Sequence, residues 1–152
     1  MPATKANPIT ASASVVVNRP KKQVWKALTD PDLVKQYFMG ATVKTDWQAG
    51  HPITFSGTWK DKPFEDHGEI LSFEPEKEMS YSHWSPLSGS EDKPDNYHVV
   101  HITLADADGG TKVTLEQSNL NGGVTDADRA SRADYEKNWE GTLEGLKKVA
   151  EA

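Results

Sequence analysis

The chain has 152 residues, 36% apolar and 26% charged, which fits one soluble domain with its own core. Its net charge of −6 carries no basic cluster denser than Lys21-Lys22 or Lys147-Lys148, so a nucleic-acid footprint is excluded. No apolar run approaches the ~18 residues of a membrane span, and the absence of cysteine removes disulfides, thiolate nucleophiles and Cys-based metal sites. The opening MPATKANPIT has no basic start followed by an apolar stretch, so no leader is read and a cytoplasmic setting is expected.

Residues 1–11, with Pro2 and Pro8, read as a flexible tail. The β-branched run Ser12 to Val17 reads as a first strand. Asn18 is an expected helix cap and Pro20 suits a first helical turn, with Val24, Trp25, Ala27 and Leu28 as the apolar side. Thr29-Asp30-Pro31 breaks that helix and starts a second, short one. Leu33, Val34, Tyr37 and Phe38 form its buried side, and Gly40 ends it.

Strand signals follow at Thr42 to Trp47, then at Ile53 to Trp59, where rings and Ile alternate with Thr and Ser. Asp61-Lys62-Pro63 reads as the next turn. His67 to Glu74 and Glu78 to Trp84 are further strands, followed by a polar loop over 85–95. Tyr97 to Ala105 and Thr111 to Asn119 are joined by the turn DADGG, and their parity sets Val100, Ile102, Leu104, Val113 and Leu115 inward. From Thr125, a cap with acids Asp126 and Asp128 after it, the pattern is helical over 125–150. Tyr135, Trp139, Leu143, Leu146 and Val149 recur at steps of three and four. Gly141 and Gly145 weaken the helix, so either it bends there or something approaches closely.

One strand, two short helices, consecutive turn-linked strands and a long helix describe an antiparallel sheet with one face to cover. The terminal helix is the only element long enough to cover it. Four stretches carry a resemblance: VVVNRPKKQVWKALTDPDLVKQYF (15–38), GEILSFEPEKEMSYSHW (68–84), HITLADADGGTKVTLEQSNL (101–120) and NWEGTLEGLKKV (138–149). In this order they resemble the SRPBCC or START-like superfamily, and within it the bacterial branch named after the C-terminal domain of the activator of heat-shock-protein-90 ATPase. The resemblance implies an α+β helix-grip fold over 12–152. Six or seven antiparallel strands would curve around the C-terminal helix, with two short helices after strand one. Asn138 stands where that family usually has Gly, and Tyr37 where it often has Trp.

No phosphate-binding glycine loop, nucleophile elbow or metal-ligand spacing occurs, so no catalytic residue, metal ligand or cofactor is nominated. His98 and His101 are three apart, which on a strand sends them to opposite faces. His51 reads as an exposed turn residue. His67 and its neighbour Asp66 would matter only beside a cavity. His83 shares the alternation of Met79 and Tyr81 and is the best-placed histidine. Most carboxylates, Glu65-Asp66 and Glu69 among them, read as solvated faces and turns, and Glu116 as surface.

The many rings pack a core, line an apolar ligand cavity, or do both. The expected lining is Phe38, Phe55, Trp59, Tyr81, His83 and Gln117 from below, with Trp139 and Leu143 from above. The resemblance implies a non-enzymatic domain binding a hydrophobic small molecule between sheet and helix. It leaves two alternatives: a co-chaperone-like module with a chaperone as partner, and an enzyme of the cyclase or hydrolase type.

Overall fold

The fold follows from alternating residues that need one covered face. A computed structural model describes residues 8–38, 40–86 and 89–152; the Trp59 side chain also lies outside the described residues. The elements are β1 (Ile9–Val17), α1 (Lys21–Thr29), α2 (Pro31–Val34), β2 (Thr42–Lys44), β3 (Pro52–Trp59), β4 (Lys62–Glu74), β5 (Glu78–His83), β6 (His98–Ala107), β7 (Gly110–Asn119) and α3 (Asp126–Glu151). The seven strands form one antiparallel, curved sheet in the order β1-β7-β6-β5-β4-β3-β2. The long helix α3 and the two short helices cover its inner face, which is the helix-grip α+β arrangement.

Several boundaries differ from the sequence reading. The first strand starts at Ile9, so Ile9–Ala11 belong to the sheet; the rest of the expected tail, residues 1–7, lies outside the described residues. Thr10 and Ala11 are buried, because Thr10 reaches Gln117 across the β1–β7 pair. Pro20, not Asn18, is the cap of α1. The α2 helix is a single turn capped by the Asp30 carboxylate, and hydrogen-bonded turns carry the chain on to Phe38. β2 stops at Lys44, and Trp47 takes a left-handed φ of 59° that lays its ring against Phe73. The β3–β4 turn is Lys60-Asp61, both at positive φ as a two-residue hairpin demands, so Lys62 and Pro63 are strand residues.

Register orders the inner face into rows across the strands. Leu104 and Val113 make an apolar row, and Met79, Ile102 and Leu115 the next, all buried as the parity predicted. Ile70, Tyr81, Val100 and Gln117 form a mixed row after that. The last row holds His83, His98 and Asn119. The face therefore grades from hydrocarbon, under Leu143, Leu146 and Ala150 of α3, to polar groups near the start of that helix. Thr125 and Asp128 close a reciprocal capping box at that start.

Candidate functional site

The apolar end of the gradient meets the short helices around a partly open cavity of about 40 Å³. Leu28, Val34, Tyr37 and Phe38 close one side, Phe55, Met79, Tyr81, Ile102 and Leu115 supply the floor, and Leu143 and Leu146 the roof. A dry cavity of ~150 Å³ takes a benzene ring and drug-sized pockets run to ~300–1,000 Å³. At this volume the cavity is too small for either. Phe38 is half-buried, stacks on Phe55 with centroids 5.0 Å apart and leans on Trp139 at 6.3 Å.

Of the expected lining, Phe38, Phe55, Tyr81 and Leu143 border this cavity. Gln117 and Trp139 stand beside it in another role. The Trp139 indole N–H donates to Gln117 Oε1 at 2.8 Å, and the Gln117 amide donates to the Thr10 hydroxyl at 3.0 Å. These polar atoms are consumed in pinning α3 to β1 and β7. The Trp59 side chain lies outside the described residues.

The polar row was only partly legible. His83 faces inward, as its alternation predicted, but it does not border the cavity: one row beyond Tyr81, it is turned to Asp66, with Nε2 2.9 Å from Asp66 Oδ2. Asp66, read from sequence as a solvated carboxylate, is 7% exposed and faces inward from β4. The pairings Ile70↔Tyr81 and His67↔Trp84 set Gly68 beside His83, so the imidazole reaches over a position without a side chain. A Cβ on Gly68 would come within 1.7 Å of the Ser82 carbonyl oxygen. The glycine is thus required by close backbone approach. Spacing could have found the pair: Asp66 and Gly68 share one parity on their strand, and His83 shares the inward parity of Tyr81 on the next.

Next to it, His98 packs edge-on against Tyr135 at 6.0 Å. Burial pushes the His98 imidazole below its ordinary pKa; Asp128 opposes that shift and His83 adds to it. Burial raises the Tyr81 and Tyr37 hydroxyls, so both stay protonated. Tyr37 donates to the Ala27 carbonyl at 2.7 Å.

His67 points to the other face, where Nε2 meets Asp92 Oδ2 at 2.8 Å and the Tyr97 hydroxyl at 2.9 Å. Burial and then the bond to Asp92 push Tyr97 up to about 12. Adjacent residues of one strand thus serve opposite faces, and Asp66 pairs with His83, never with its neighbour. His101 likewise turns outward, toward Glu78 at 3.3 Å, while His98 turns inward, as their spacing required. His51 is held by Asp46 in its turn. Among the described residues no group of three or more His, Asp or Glu side chains converges as a metal site, and no helix is long and apolar enough to cross a membrane.

Comparison with known proteins agrees with this fold. The family model described as Activator of Hsp90 ATPase homolog 1-like protein matches residues 18–151. The solution structure of ChR145 from Cytophaga hutchinsonii is 41% identical, with a TM-score of 0.75 and 97% of each chain covered. The crystal structure of MLL2253 from Mesorhizobium loti is 25% identical, with a TM-score of 0.70, covering 91% of this chain and 95% of that one. The Aha1 dimer from Colwellia psychrerythraea is 16% identical, with a TM-score of 0.67 over 93% of this chain and 95% of that one, a likeness of fold. No curated protein matches the chain.

Proposed function

Because the chain belongs to the family of Activator of Hsp90 ATPase homolog 1-like proteins, within the SRPBCC class, we propose that it is a binding domain that holds a hydrophobic small molecule between the sheet and α3. One observation carries this reading. An apolar, partly open space lies where sheet, short helices and α3 meet, and it is bordered by the half-buried ring of Phe38 instead of a sealed aliphatic layer. Rings swing more readily than backbone moves, so the space grows by displacing Phe38 from Phe55.

A hydrophobic ligand that binds only the folded chain raises its melting temperature by mass action, ~2.7 kcal/mol at a hundredfold excess over Kd. The expected result is a concentration-dependent rise with small aromatic or aliphatic ligands, together with displacement of an apolar dye. Phe38→Ala, which removes the ring, should tighten the binding. A flat melting temperature across the panel, in both proteins, would overturn the reading.

The family model favours a second reading, a module that stimulates a heat-shock-protein-90 ATPase. Addition of the purified chain to such a chaperone and measurement of phosphate release tests it directly. Stimulation that survives Phe38→Ala would separate this role from the cavity.

A further inference from the structure

We infer that the ligand carries a neutral hydroxyl head, donated to His83, and that the site turns away anionic heads. This deepens the cavity reading and rests on it. The imidazole of His83 stands edge-on to Phe55, centroids 5.9 Å apart, and Phe55 borders the cavity. Tyr81, also on the cavity wall, lies two residues earlier on the same face of β5. Neither His83 nor Asp66 borders the cavity itself; a ligand whose body fills the cavity reaches His83 by extending past Phe55.

The pair with Asp66 decides what His83 offers. A carboxylate oxygen only accepts, so the contact at 2.9 Å places the proton on Nε2 and leaves Nδ1 of the neutral ring as an acceptor. Nδ1 has no hydrogen-bond partner among the described residues, and the His83 side chain is 22% exposed. Asp66 Oδ2 is occupied, and Oδ1 is buried and unpartnered, out of reach of a ligand. The accessible acceptor is the imidazole.

Charge supplies the exclusion. The cavity lining contains no Lys or Arg. Among the described residues, the carboxylate of Asp66 meets His83, that of Asp128 meets Asn119, and the Tyr135 ring packs on His98. A carboxylate head would enter a partly desolvated space beside the buried, half-paired Asp66 without a cation to meet it. A hydroxyl adds no charge and supplies the donor that Nδ1 lacks.

Three probes with one ring system test this: 2-naphthol, which donates; 2-methoxynaphthalene, which does not; and 2-naphthoate, which is anionic. Calorimetric titration of the full chain at about pH 8 keeps naphthoate ionised. The expected order is naphthol about fivefold to tenfold tighter than methoxynaphthalene, the value of one hydrogen bond, with naphthoate weakest. His83→Leu should erase the advantage of naphthol over methoxynaphthalene. Asp66→Asn, a near-isosteric change, should admit naphthoate and so serves if His83→Leu fails to fold. Equal affinity for naphthol and methoxynaphthalene, or naphthoate binding as tightly as naphthol, would overturn the inference while the cavity reading stands. Binding by none of the three would overturn both.

Discussion

Gln117 is one side chain that fastens two elements. It accepts from Trp139 on α3 and donates to Thr10 on β1, so its two polar atoms satisfy an indole and a hydroxyl at once. Gln117→Ala removes both bonds and leaves the Thr10 hydroxyl buried without its donor. The expected cost is about 1–3 kcal/mol, read as a lower denaturant midpoint with an unchanged slope. Gln117→Glu should be at least as damaging, because it places an unpaired charge at a position that is 4% exposed. If either variant melts like the parent, the bridge is incidental. From sequence, the inward direction of Gln117 was legible by parity, but its partners were not, since Thr10 and Trp139 lie far away in the chain.

At the scale of the element, α3 resolves the question its two glycines pose. Gly145 is a place of close approach: a Cβ there would sit 2.7 Å from Tyr37 Cβ. Gly141 is exposed, and a Cβ there meets nothing within 4 Å. The same substitution should therefore change sign. Gly141→Ala should stabilise by about 0.5–1 kcal/mol through helix propensity, while Gly145→Ala should destabilise by about 1–3 kcal/mol through overpacking against Tyr37. Thermal unfolding of the two variants side by side checks this; equal effects would show that Tyr37 yields freely. The helix also guards the free edge of β1. Glu136 accepts from the Ser12 N–H, Glu151 from the Asn18 N–H, and Lys147 donates to the Val16 carbonyl. Groups so occupied cannot pair with another strand, which limits edge-to-edge association.

For the whole molecule, those carboxylates tie stability to pH. The Ser12 N–H holds Glu136 below the usual range, and the Asn18 N–H with Lys147 does the same for Glu151. For Asp128, burial favours the neutral acid, but bonds from the Thr125 N–H and the Asn119 amide outweigh it and lower the pKa. Each depressed group binds fewer protons folded than unfolded. Its contribution is complete above the ordinary carboxylate range, near pH 4, and is lost as pH falls through the lower folded values. The denaturant midpoint should therefore drop steeply below about pH 4. Asp128→Asn should be less stable at neutral pH and show a shallower acid limb. An unchanged limb in that variant would mean that the capping box contributes nothing to acid sensitivity.

Local chemistry determined much of this protein. Alternation placed β3 and β5–β7 and turned Val100, Ile102, Leu104, Val113 and Leu115 inward, and the Thr125 cap began α3, because these patterns depend on neighbours along the chain. The four motifs in order were enough for the family. Tertiary structure alone decided what depends on neighbours across it. It drew Ile9–Ala11 into the sheet through a strand more than a hundred residues away. It buried Asp66 and brought its carboxylate within 2.9 Å of His83 over Gly68. It also contracted the space between sheet and helix to about 40 Å³. Side-chain identity lists which rings are present; how tightly two curved layers close over them is set by their packing, and that is written in no single stretch of residues.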